Sequence, residues 1–240
     1  GCKKFFSIGY FMKNRFKEIK KHFEKEAKFF DSFFYKIVPQ YRQMLEILVQ
    51  SMPFEKNKKL KVIDLGCGTG NLGLKAKEYY PHAHLTCVDM SENMIKMAKT
   101  KFEKYPDTVF WHGDIRKFDY SKKYDAVISS MVLHHVEGAE KIKFYKKLHK
   151  ALKTGGIFLN IDIFITKDAV LQKFYTDKWI SFMSENGLAL NKVKEMLLRH
   201  KKEDRPVVID WELSALKKAG FKSSDIIFKN FNFAGYTAKK

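Results

Sequence analysis

Arginine and acidic residues are both scarce in this sequence. Only five of its 46 cationic side chains are arginine, and 27 acids leave a formal net charge of +19. So few arginines argue against a surface built to grip phosphates or base edges bidentately. The lysines are scattered along the whole chain, which fits a general lysine bias at least as well as attraction to nucleic acid. Cysteine is rare too. Cys2, Cys67 and Cys87 form no metal-ligand spacing and no disulfide framework, so no metal is called for and a reduced, cytoplasmic setting is expected. No apolar run reaches the length of a membrane span, and no membrane partner is expected. Residues 1–12 are basic and apolar but lack a sustained apolar core and a small-residue cleavage site. They read as a flexible or tag-like leader rather than a signal peptide. There is no internal repeat.

Apolar residues make up 45% of the 240 positions, enough for one large core with a cap. The chain is organised around Val62-Ile63-Asp64-Leu65-Gly66-Cys67-Gly68-Thr69-Gly70-Asn71. A short apolar run enters a turn with three alternating glycines, and a helical segment follows, as in nucleotide-binding strand–loop–helix units. The next apolar run, Leu85–Val88, ends in Asp89, placed to take both hydroxyls of a ribose. A dinucleotide site wants G-x-G-x-x-G. Here the third glycine comes one place early and Asn71 follows it, which disfavours NAD.

Residues 13–36 read as a helix, with Phe16, Ile19, Phe23, Ala27, Phe30 and Phe34 at helical spacing. Its aromatic stretch Phe29–Tyr35 could serve as a lid that excludes water. A second helix runs from Tyr41 to about Ser51, and 13–52 together read as an N-terminal helical cap. From 61 to 165 strands alternate with single helices, the pattern of a parallel sheet covered on both faces. Strands are expected at 61–65, 84–88, 108–112, 124–129 and 157–163. Helices at 167–185 and 190–203 interrupt this rhythm and read as a cap insertion over 166–205 within a 53–240 domain. Helix 208–219 and strands 223–229 and 231–238 finish the chain. The fold class is therefore α/β: a Rossmann-like, seven-stranded, mostly parallel sheet with the last strand antiparallel, in three layers with helical caps.

The ordered set Val62–Asn71, Asp89, Gly113-Asp114, Tyr124–Val136 and Leu152–Leu159 resembles a class I S-adenosylmethionine (AdoMet) methyltransferase. The resemblance covers residues 30–240. It is nearest to the small-molecule methyltransferase relatives of the carboxy-AdoMet-using tRNA uridine-modifying synthase. It implies AdoMet as cofactor and S-adenosylhomocysteine as product. It also implies that Asp64, Gly66, Gly68 and Gly70 form the loop under the methionine and ribose, that Asp89 meets the ribose diol, and that Met90, Asp114 and Ile115 surround the adenine. Ser130 and Arg42 would contact the amino-acid end. His134 and His135 stand at the sheet's carboxyl edge, where a histidine could remove a proton from an acceptor; His134 is the slight favourite to face the pocket. Tyr35, Tyr41, Tyr175 and Trp179 would line the acceptor side. The synthase holds its extra carboxylate with a cap arginine. Counting back from Ala219-Gly220-Phe221 puts Leu197 at that place and Arg199 two positions away, which argues for ordinary AdoMet.

Methyl transfer to a small molecule leads on this reading. A tRNA wobble-uridine methyl- or carboxymethyltransferase is the alternative, a non-catalytic AdoMet-binding protein the next, and an NAD oxidoreductase the remotest. Aromatic caps would serve a homodimer as readily as a lid.

Overall fold

The computed structural model describes residues 15–25, 27 and 30–240; the leader expected over 1–12 lies outside them. Residues 15–25 are helical and are called α1. The further elements are α2 (Phe30–Ile37), α3 (Tyr41–Gln50), β1 (Lys61–Leu65), α4 (Asn71–Tyr79), β2 (His84–Asp89), α5 (Glu92–Lys101), β3 (Val109–His112), β4 (Tyr124–Ser130), α6 (Gly138–Ala151), β5 (Leu152–Ile163), α7 (Ala169–Glu185), α8 (Leu190–Glu203), α9 (Ile209–Ala219), β6 (Ser223–Asn230) and β7 (Phe233–Lys239).

Seven strands form one sheet in the order β3-β2-β1-β4-β5-β7-β6. The pairs among β1 to β5 are parallel, and β7 runs antiparallel to both β5 and β6, as the alternation predicts. β4, Tyr-Asp-Ala-Val-Ile-Ser-Ser, is buried along nearly its whole length, because helices cover both faces of a parallel strand and leave no side for polar alternation. Two apolar cores result. Met44, Leu48, Leu60 and Leu85 fill one face of the sheet with α3 and α4. Tyr145, Leu148, Phe158 and Leu216 fill the other with α6 and α9. Within the second core Glu212 accepts from Tyr236 Oη at 2.9 Å and also from Tyr145 Oη, and it pairs with Lys141 Nζ at 2.8 Å. A charge this deep is tolerated because it is paired and hydrogen-bonded.

Helix boundaries follow local chemistry. Ser91 caps α5 by accepting from Met94 N, with Glu92 in the first turn and Lys99 and Lys101 in the last. That arrangement satisfies an orphan donor and suits the helix dipole. Asp168 caps α7 by accepting from Val170 N and Leu171 N. Gly220, at φ 108°, ends α9.

The chief departure from the sequence reading is at the start, where the expected single helix over 13–36 is divided into α1 and α2. Asp31, at the head of α2, accepts from Thr69 Oγ1 (2.5 Å) and Asn71 Nδ2 (2.9 Å) and pairs with Lys101 Nζ (2.5 Å). This ties the start of α2 to the glycine loop. Two 3-10 turns, Ile115–Lys117 and Leu133–His135, were not foreseen. β1 connects outward to β2 on one side, whereas its other neighbour is β4. The loops leaving β1 and β4 therefore diverge and open a crevice at the carboxyl edge.

Candidate active site

The crevice is the floor of a cavity of about 180 Å³, roofed by α1, α2, α7 and α8. The glycine loop is fixed first. Gly66 N and Cys67 N both donate to Val88 O, at 2.7 and 3.0 Å. Gly68 N donates to Asp89 Oδ2 and Ser91 N to Asp89 Oδ1, each at 2.8 Å. The three loop glycines all take positive φ, which a side chain would strain. A Cβ on Gly70 would come within 2.8 Å of Phe102, so Gly70 serves the turn into α4, and it does not line the cavity. A Cβ on Gly68 would meet nothing nearer than Phe30 at 3.8 Å, so the loop presents bare backbone to open space.

Asp64 is fully buried at the end of β1, and its Oδ2 has no hydrogen-bond partner. Burial, with the nearby charge of Asp89, pushes its carboxyl up to about 8 against a lowering bond from the Gly73 backbone. Burial likewise raises Asp89, outweighing the amides of Ser91 and Gly68. Asp89 faces the cavity beside Met90 and Ile115. Asp114 also lines it, but its carboxylate caps the following turn through Arg116 N at 2.9 Å and grips the Arg116 guanidinium at 2.6–3.1 Å. Phe16 lies over that guanidinium at 3.6 Å. Ser130 Oγ donates to the Tyr41 hydroxyl at 3.3 Å, and both residues line the cavity. Burial drives the Tyr41 phenol far above its ordinary value. Met131, next in line, holds a positive φ of 58°, an uncommon strain for a side-chain-bearing residue at a cavity wall.

The far end of the cavity is polar. His134 is buried, with its backbone N 3.0 Å from Asp162 Oδ2 and its Nδ1 bonded to Asp162 Oδ1. His134 Nε2 lies 3.6 Å from Asp204 Oδ1, and His135 Nδ1 lies 3.1 Å from the same oxygen. His200 Nδ1 is 2.5 Å from Asp204 Oδ2. Burial alone would lower His134, but the charges of Asp162 and Asp204 hold it above the usual histidine value. His135 falls, through burial and the charge of His134. Both rings line the cavity, and of the two His135 is the one held toward its neutral form.

Trp179 closes the roof. Its Nε1 donates to Ile37 O at 2.6 Å, joining α7 to α2, and its ring meets His200 edge-on. Three expected residues stand elsewhere. Arg42 is exposed on the outer side of α3, over the ring of Tyr35 at 4.7 Å. Both are one turn or less from buried core positions yet point away from the cavity, whose wall is taken by Phe34, Val38 and Tyr41. Tyr175 packs on Phe231 beneath Lys229, because α7 turns its Trp179 face inward instead. The sequence reading did not single out Asp31, Arg116, Asp162 and Asp204. Asp204 stood in the Asp204-Arg205-Pro206 break, a visible loop signal with no visible partner. Leu197 packs on the apolar core, whereas Arg199 lines the cavity.

The donor set fits AdoMet. Bare loop backbone, a buried carboxyl oxygen without a partner at Asp64 and the buried acid Asp89 on the cavity wall would hold its methionine and ribose, and Met90 and Ile115 its adenine. Comparison with known proteins agrees. Residues 62–156 match a family described as methyltransferase domain. The carboxy-S-adenosyl-L-methionine synthase of Nautilia profundicola is 28% identical over 228 residues, spanning 93% of this chain and 97% of that protein. Among solved structures, PigF with SAH superposes with a TM-score of 0.67 at 15% identity, covering 93% of this chain and 61% of that one. Human N-acetylserotonin methyltransferase in complex with SAM gives 0.56 at 19%, covering 88% and 57%. The chain thus spans about three fifths of each of those two structures, which share its fold. Glycine loop, paired acids, strand order and sequence likeness agree: residues 62–156 carry a methyltransferase domain, and the likeness over the rest of the chain supports a class I AdoMet-dependent methyltransferase fold and an enzyme that uses AdoMet.

Proposed function

We propose that the protein transfers the methyl group of AdoMet to a small-molecule acceptor held at the histidine end of the cavity. The observation that carries this is one continuous cavity, running from the bare glycine loop past Phe23, Phe30 and Phe34 to His134 and His135 beneath the helical roof. When bound, AdoMet supplies a methyl group on a sulfonium that is already a strong electrophile. The chain's own contribution is placement and water exclusion. Phe30 and Phe34 stack at 4.7 Å, and Phe23 meets Phe30 edge-on at 6.1 Å, a dry wall between loop and histidines. Asp162 fixes the His134 ring, and the neutral ring of His135 can accept a proton or hydrogen bond from an acceptor hydroxyl or amine. A site roofed by α1, α2, α7 and α8 favours a small acceptor over a tRNA.

A second reading rests on Arg199. Its presence on the cavity wall, two residues from the position that counting predicts, would suit a carboxylate carried on the sulfonium, the chemistry named for the bacterial relatives. Titration with AdoMet, carboxy-AdoMet and NAD, read by native mass spectrometry, separates these readings. Tighter binding of AdoMet than of carboxy-AdoMet, followed by S-adenosylhomocysteine release in an acceptor screen, is the expected result. Preference for carboxy-AdoMet transfers the case to the second reading, and failure of both sulfoniums to bind overturns the two together.

A further inference from the structure

The geometry points to a divalent-cation site of the first-row transition series, formed by His134, His135 and Asp204 at the polar end of the cavity. One ligand atom from each of these residues lies within 4.8 Å of the others. The measured separations, 3.6 Å from His134 Nε2 to Asp204 Oδ1 and 3.1 Å from His135 Nδ1 to the same oxygen, bracket the spacing of about 3.4 Å between ligands of a tetrahedral ion with bonds of about 2.0–2.1 Å. Sequence spacing could not show this, because Asp204 is 69 residues beyond His135.

Three further observations select a cation. First, Asp162 occupies His134 Nδ1, which directs Nε2 toward Asp204 Oδ1 at 3.6 Å. A carboxylate on the remote nitrogen is the usual support of a metal-bound histidine. Second, His135 is 8% exposed. Although its Nδ1 is close to Asp204, neither ring nitrogen makes an aligned hydrogen bond, an expensive state for a buried polar ring. Third, two carboxylates, Asp162 and Asp204, converge on the same pair of rings. Arg15 spends its guanidinium bonds on the carbonyls of Glu203 and His135 rather than on these carboxylates. His200, on the second oxygen of Asp204, orients that ligand. Two imidazoles and one carboxylate suit zinc, iron(II), cobalt or nickel better than magnesium or calcium.

The ion would retain an open position toward the cavity. On the methyl-transfer reading, on which this clause alone rests, that position takes an acceptor with chelating oxygens, such as a vicinal diol of an aromatic ring or a hydroxy acid. With the ion bound, His135 serves as a ligand instead of a proton acceptor, and the ion would lower the pKa of the bound hydroxyl, whose proton would leave to solvent at the cavity mouth.

The test uses the untagged full chain dialysed against Zn²⁺, with metal content read by mass spectrometry, and Co²⁺ as an optical probe of tetrahedral ligation. Wild type and His84→Ala, which removes an exposed histidine far from the cavity, should each retain one equivalent. His135→Ala and Asp204→Asn should lose it. Asp162→Asn, which removes a positioning carboxylate, should weaken Zn²⁺ binding by about 10–100-fold. The proposal is overturned if wild type retains no more Zn²⁺ than the His135→Ala/Asp204→Asn double variant, since a proton then fills the gap. AdoMet titrated into the same samples keeps the two readings separate. Normal AdoMet binding without Zn²⁺ sinks only the metal site, whereas Zn²⁺ binding without AdoMet sinks only methyl transfer.

Discussion

Gly66→Ala offers a quantitative test of the glycine loop, because its clash has a single identified neighbour. Gly66 has φ +67°, and a Cβ there would lie 2.4 and 2.7 Å from the two γ-methyls of Val132 and 3.0 Å from its Cβ. Non-bonded carbons normally sit at about 3.5–4.0 Å. Left-handed strain contributes about 1–2 kcal/mol and overpacking about 1–3 kcal/mol, so the substitution should destabilise by about 2–5 kcal/mol. Val132 is only partly buried, and Val132→Ala alone should cost about 1 kcal/mol. In the double variant both γ-methyls are gone and only the 3.0 Å contact remains. The two effects should therefore fall short of additivity by about 1–3 kcal/mol, the overpacking part. Chemical denaturation of the four proteins, with midpoint and slope fitted separately, measures this. Additivity within about 0.5 kcal/mol would refute the assignment of the clash to Val132.

Three other expectations concern charge and placement. Asp31 is held below the ordinary carboxylate range because hydrogen bonds from Lys101, Thr69 and Asn71 outweigh the opposing effect of burial. Its stabilisation is thus present above the unfolded value and lost as pH falls through the folded one. Being a third exposed, it should contribute only about 1 kcal/mol, and the stability gap between wild type and Asp31→Asn should close below about pH 4. Asp64 has the opposite sign. Its folded value of about 8 exceeds the unfolded one, so its stabilisation is complete in acid and declines as pH rises between about 4 and 8. Asp64→Asn should flatten melting temperature against pH over that window, and parallel curves for the two proteins would disprove the burial argument. Arg42→Ala should leave AdoMet affinity unchanged in calorimetry, since Arg42 lies on Tyr35 outside the cavity; a tenfold loss would restore the contact that sequence suggested.

The parts of the site that were legible in sequence are those made within one strand–loop–helix unit. Gly66, Gly68 and Asp89 announce themselves because a tight turn and a following acid are local events, and β1 to β5 alternate visibly with their helices. The roof was harder to read. Helical spacing placed Tyr175 and Trp179 on α7 equally well, and only the packing of α7 on α2 decides that Trp179 turns inward. Arg42 follows Tyr41 directly, so a rotation of about 100° along α3 separates a cavity residue from a surface one. The acids Asp162 and Asp204 are invisible as partners of His134 until β5 and the end of α8 meet beside it.

The position of β7 bears on how the chain reaches this state. β7 follows β6 in sequence but lies between β5 and β6 in the sheet, so β6 gains its one strand neighbour among the described residues when β7 is laid down. During synthesis, β5 would present a bare edge until Phe233 and the residues after it leave the ribosome, a state open to pairing with other nascent chains. A message truncated just before Phe233 would thus yield an aggregating product, although every residue of the glycine loop and of the histidine cluster had already been translated.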